Sequence, residues 1–178
     1  MAKSDSFFIR GKVSTDGTTY TQTEIDLGSY VNLGVSKSTL LRIHNISVQV
    51  LGKASSISVL SGASGWAMFH QLTTQSQSEI VYADDKSLIA SGNLRAYNAQ
   101  IAEDGSASAD FATGFVTQDF DVAPQDFRNG YLVGVDSLFL GTDLSSTTPT
   151  DMSICYVMEC TLESATQANS VALALSQQ

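Results

Sequence analysis

Two histidines, His44 and His70, two cysteines, Cys155 and Cys160, and several paired acids are the side chains of this chain whose chemistry could go beyond packing. A histidine titrates near neutral pH and can act as a general base or a metal ligand. Each one here lies inside a strand-like apolar run, LLRIHNISVQVLG or WAMFHQL, with no catalytic partner in the local sequence. The economical reading is a packed or edge histidine, and no catalytic residue is assigned. The cysteines fall in DMSICYVMECTLES, Asp151 to Ser164, where Met152, Ile154, Tyr156, Met158, Cys160 and Leu162 share one face at period two. An offset of five is odd, so on a strand Cys155 and Cys160 point to opposite sides and cannot easily share a disulfide or a metal. With no CxxC or HxxxH spacing, they read as packed thiols.

The acids fall in or beside turns: Asp84-Asp85, Glu103-Asp104, Asp119 with Asp121, and Asp143 with Asp151. Calcium takes oxygen ligands from such places, but AEDGSASAD, with Glu103, Asp104 and Asp110 around Gly105, lacks the EF-hand spacing, so solvated turns are the simpler reading. SGASGW carries Ser64 one residue out of register for a nucleophile elbow and reads as a loop ahead of Trp66. Trp66 could stack on a sugar ring, although a tryptophan that starts an apolar strand is more often core. Asn45-Ile46-Ser47 matches the glycosylation pattern but falls within a strand candidate. No cofactor and no metal site are assigned.

The elements that must position these residues are short and β-rich. Candidates are Phe7 to Val13, Glu24 to Leu27 with Tyr30-Val31, Leu40 to Gly52, Ile57 to Leu60, Trp66 to Leu72, Glu79 to Ala83, Ser87 to Ala90, Phe111 to Val122, Tyr131 to Leu140 and Met152 to Leu162. Within Leu40 to Gly52 the apolar phase slips by one residue at His44-Asn45, which predicts a β-bulge. Helical signals are weak: Leu94 to Ala102 as a crossover turn, and Ser164 to Ser176 with Ala168, Val171, Ala172 and Leu175 on one stripe. Closely spaced strands without alternating helices predict an all-β sandwich, barrel or jelly roll.

The 178 residues fit one domain, 1–178, large enough to fold without staples. The start, MAKSDSFFIRGK, shows no signal-peptide core, and VALAL is far below a membrane span, so cytoplasmic synthesis is expected. Residues 1–95 hold eight basic and seven acidic side chains, a balance of +1, whereas residues 96–178 hold Arg128 and eleven acids, a balance of −10. With only Lys3, Arg10 and Lys12 near the start, direct nucleic-acid binding is not expected. Ser and Thr make up roughly a quarter of the chain while charged residues are 15%, so the surface is hydroxyl-rich.

The strand order, the bulged LLRIHNISVQVLG, the WAMFHQL strand followed by Asp84-Asp85-Lys86, and the closing YLVGVDSLFLGTDLSSTTPTDMSICYVMECTLES resemble the small single-jelly-roll major capsid proteins of tailless icosahedral viruses. The likeness lies in size and strand pattern and covers most of the chain. It implies an eight-stranded double Greek-key jelly roll, a non-enzymatic structural role in the virion, and copies that self-assemble into capsomers. Many such proteins carry an arginine-rich arm, which is missing here. That departure favours archaeal or bacterial viruses with an internal membrane, in which a second capsid protein can share the shell. Assembly contacts are expected from terminal arms at 1–5 and 165–178 and from the loop Gly141 to Asp151. The rival expectation is a carbohydrate- or cell-surface-binding module using Trp66, Tyr82 and Tyr97. A hydrolase using His44 or His70 comes third.

Overall fold

The computed structural model describes residues 5–15, 19–33, 37–52, 65–100, 111–144 and 152–177, with side chains for all of these but 52, 65–66, 96–100 and 111–119. Its strands are β1 (Phe7–Ser14), β2 (Thr21–Asp26), β3 (Lys37–Gly52), β4 (Gly65–Thr73), β5 (Leu88–Gln100), β6 (Phe111–Val122), β7 (Tyr131–Val133), β8 (Ser137–Leu144) and β9 (Met152–Thr166), followed by helix α1 (Gln167–Ser176). They form a four-stranded sheet of order β1-β9-β3-β7 and a five-stranded sheet of order β2-β8-β4-β5-β6, with every pairing antiparallel. The chain changes sheet at most connections, and β9 returns to lie between β1 and β3. This is the jelly-roll order of two interlocked Greek keys. The expected eight strands are present, and β6 extends the second sheet outside β5.

The alternation in β9 decides what the barrel encloses. Met152, Ile154, Tyr156, Met158 and Cys160 are all buried, each large apolar side chain contributing roughly 1.5–3 kcal/mol by leaving water. From β3, Leu41 and Ile43 enter the same core, and after the bulge Ile46 continues it with Val48 and Val50 packed against it. The β3–β9 register shifts between Ile43 and Asn45, so His44 is the extra residue that restores one inward phase. Met68, Leu72, Ile89, Leu138 and Leu140 close the core from the other sheet.

Among the described residues, one glycine is required by backbone geometry. Gly130 has φ +64, and a Cβ there would run into the Ile43 carbonyl oxygen, so both conformation and space exclude a side chain. Gly130→Ala is expected to cost about 1–3 kcal/mol, read as a lowered midpoint in urea unfolding with an unchanged slope.

Three sequence expectations change. Leu94–Gln100 is strand, because β5 is sandwiched by ladders from Gly65↔Tyr97 on one side and Gln100↔Phe111 on the other, and long-range pairing outweighs weak local helix preference. Glu79 to Ala83 is not a strand: the Gln71 amide donates to the Glu79 carbonyl at 2.9 Å and its oxygen accepts from Val81 N–H at 2.8 Å, so a side chain replaces the ladder. Tyr131 to Leu140 is broken into β7 and β8. The terminal helix expected over Ser164 to Ser176 is α1, and its apolar stripe faces outward: Val171 and Leu175 are exposed, while Ser170 and Gln177 are buried. Ile57 to Leu60 lies outside the described residues.

The facing of α1 has a hydrogen-bonded cause. The Ser170 hydroxyl bonds that of Ser38 at 2.8 Å. The Gln177 amide donates to the Leu132 carbonyl at 2.6 Å and accepts from Gly134 N–H at 2.9 Å, and its main-chain oxygen accepts from the Thr74 hydroxyl at 2.7 Å. Residues 165–177, expected as an arm, thus complete β9 and fasten α1 onto the chain's own sheets. Gln177→Ala removes two bonds from a buried site; a loss of about 1–3 kcal/mol is expected, together with faster protease cleavage within α1 than in the wild type.

Candidate functional site

His70 lies on β4 between Met68 and Leu72, and is buried with them. Its Nδ1 shares a 2.5 Å hydrogen bond with the hydroxyl of Tyr156 on β9, and the two rings and Phe120 meet edge to face at 5.6–5.7 Å. Burial lowers the His70 pKa to about 4 and raises that of Tyr156 well above 10, because each charged form loses its hydration. Both rings are therefore neutral at physiological pH. This group ties one sheet to the other across the core, a structural use of the residue that the sequence offered as a general base. Sequence reading missed the partner because 86 positions separate the two.

His44, at the bulge, bonds through Nε2 to the Thr161 hydroxyl at 2.8 Å on the outer face of the four-stranded sheet. Cys160 is buried, with its thiol pushed to about 12 by burial first and by Glu159 second, while Cys155 is half-buried on the opposite face. Both are free thiols, as their odd spacing requires.

Several of the described acids accept hydrogen bonds from nearby backbone or from polar side chains. Asp85 accepts from Ser87 N–H at 2.8 Å and Ser87 Oγ at 2.6 Å, which holds its carboxyl below the usual range. Asp126 accepts from Ala123 N–H, Asp143 from Leu144 N–H, and Asp121 from the Asn93 amide. Among the described residues no group of three or more His, Cys, Asp or Glu is placed to hold a metal ion. Glu103, Asp104, Asp110 and Asp151 lie outside them, as do the side chains of Trp66, Tyr97 and Asp119.

The outer face of the four-stranded sheet carries the more distinctive arrangement. Arg42 on β3 grips Glu163 on β9 with two parallel bonds, Nε to Oε1 at 2.6 Å and a terminal nitrogen to Oε2 at 2.9 Å, and donates to the Asn129 carbonyl at 2.7 Å. The Glu163 side chain is 4% exposed. Beside this pair, a cavity of about 580 Å³ opens between the sheet and α1, lined by Leu40, Leu132, Ala165 and Leu173 with Lys37 at its margin. It can receive an apolar side chain beside a fixed guanidinium–carboxylate pair.

Large apolar side chains also face outward: Phe8 on β1 is 55% exposed under the Arg10 guanidinium, Phe127 is exposed, and Val171 and Leu175 stand one turn apart on α1. Residues four apart on a helix share a face, so α1 turns an apolar stripe away from its own body. A second cavity of about 630 Å³ lies in the loop after β4, lined by Glu79, Asp84, Asp85 and Lys86 beside Tyr82, which is 85% exposed. Of the loop expected at Gly141 to Asp151, Gly141 to Leu144 belong to β8, where Gly141 gives room to the Tyr20 ring.

No family model and no curated protein matches the chain. Among solved structures, it is similar to human polyomavirus 12 VP1, described in complex with 3′-sialyllactosamine, at 10% identity and a TM-score of 0.40, over 91% of this chain and 100% of that one. A superposition this loose is only a description, and the jelly-roll assignment rests on the strand order.

Proposed function

We propose that the chain is a structural coat protein whose copies associate into capsomers and a closed virion shell. The observation that carries this reading is a jelly roll that leaves Phe8, Phe127, Val171 and Leu175 uncovered on its outside. A jelly roll is shared by capsid proteins, lectins and cupins, so the fold alone does not choose among them. The apolar pair Val171 and Leu175 on α1, with Phe8 exposed on β1, favours protein contact, and the polar-centred His70–Tyr156 pair serves packing. The role is non-enzymatic. A second coat protein is the natural partner for the acidic half of the chain, and the scarcity of basic residues leaves genome condensation to another component, in keeping with an archaeal or bacterial virus that has an internal membrane. Sedimentation velocity across concentration and salt tests it: multi-copy species are expected, and a monomer throughout would overturn self-assembly.

A second reading has its own observation. Tyr82 beside Glu79, Asp84 and Asp85 combines an exposed aromatic with carboxylates, as sugar sites do. On that reading a glycan screen would give a hit that Tyr82→Ala abolishes. On the coat reading Tyr82→Ala leaves sedimentation unchanged and the screen gives none.

A further inference from the structure

We infer that β6 is the seam through which two copies of this chain pair, edge to edge about a twofold axis, joining their five-stranded sheets into one. The inference rests on the self-assembly proposed above and names its contact. Among the described residues β6 pairs with β5 alone and ends its sheet. From Asn93↔Gln118 to Gln100↔Phe111 the register is unbroken over eight residues of β6, and the irregularity between Ser91 and Asn93 is confined to the far end. Every second residue of that stretch therefore turns its backbone N–H and C=O away from β5.

Proteins guard such edges with charges, prolines, bulges or brevity, and the other three edges here do so. β1 carries Arg10 and Lys12, β2 carries Glu24 and Asp26, and β7 is three residues long. Residues 111–118, FATGFVTQ, contain no charge and no proline. An open, regular, uncharged edge is a template for another strand. A second copy of β6 fits it by charge. Paired antiparallel with Phe115 opposite its own copy, the strands set Thr113 against Thr117 and Asp119 against Phe111, so Asp119 and Asp121 never oppose one another. A parallel pairing in register would set Asp119 on Asp119, and like charges directly opposite destabilise a pair. Such an interface is isologous and closes on itself.

Two measurements test it on the full chain. Val116→Lys and Thr117→Lys, made singly, put a charge on the edge whichever way the register runs. Each is expected to weaken association of copies about tenfold or more in analytical ultracentrifugation, with circular dichroism unchanged. Amide hydrogen exchange of the wild type needs no folded variant: alternate amides of 111–118 exchange fast in dilute monomer, and all eight become protected as copies associate. If the wild type associates while both lysine variants associate equally well, or while those alternate amides stay unprotected, the β6 seam is wrong and the coat reading stands. If the wild type is monomeric at every concentration, both fall together.

Discussion

Arg42→Leu is expected to cost about 3–5 kcal/mol of folding stability, because it takes the guanidinium from the Glu163 carboxylate in a nearly closed site. The two bonds of 2.6 and 2.9 Å are charge-assisted and bidentate, the geometry in which an ion pair offsets its own desolvation. The pairing also holds the Arg42 charge more firmly, through the hydrogen bond to Glu163 first. Removing Arg42 takes away the bidentate bonds that offset the desolvation of Glu163, whereas Arg42→Leu with Glu163→Leu removes both charges and extends the apolar lining of the neighbouring cavity. The double variant is therefore expected to recover most of the loss, in chemical unfolding at pH 7. The single variant should also lose less at low pH: a buried carboxyl deprived of its guanidinium has a raised pKa, takes up a proton as pH falls, and ceases to be a buried charge. An Arg42→Leu deficit that is small, or that grows on acidification, would contradict this account of the pair.

The second large effect lies at Tyr156. Tyr156→Ala empties a fully buried position between His70 and Phe120, and about 3–5 kcal/mol is expected to be lost, near 10 °C in Tm for a chain of this size. Tyr156→Phe keeps the ring and deprives His70 Nδ1 of its partner, for a smaller loss of about 1–3 kcal/mol. The same site sets a pH dependence. His70 has a folded pKa of about 4 against 6.5 unfolded, so between those values the unfolded chain binds the extra proton. Stability contributed by neutral His70 is complete above pH 6.5 and is lost as pH falls towards 4, by something on the order of 3 kcal/mol. His70→Gln should flatten that part of the stability curve. Acid sensitivity between pH 6.5 and 4 that is equal in the wild type and His70→Gln would show that the histidine is not its source.

Much of this fold can be read locally. The period-two face of β9 and the slipped phase of β3 needed no knowledge of the rest of the chain, since a strand that buries one side must alternate and a slip must be absorbed by a bulge. What escaped reading depends on distant partners. Leu94 to Gln100 is strand only because β4 and β6 flank it. Gln71 captures Glu79 and Val81 with its amide and so unmakes a strand that composition suggested. In α1 the apolar stripe Val171–Leu175 faces away from the body, because the Ser38 hydroxyl, the Leu132 carbonyl and the Gly134 N–H present hydrogen-bonding groups that Ser170 and Gln177 satisfy. The arrangement on the outer sheet face was the least legible: Arg42 and Glu163 are 121 positions apart, and neither residue type announces a buried pair.

The reading as a coat protein is tested most directly by electron microscopy of the purified chain, negatively stained at low and at high salt. Closed particles or capsomer rings of uniform diameter are the predicted result. Single copies in every field, with no species larger than a monomer at any concentration, would contradict it.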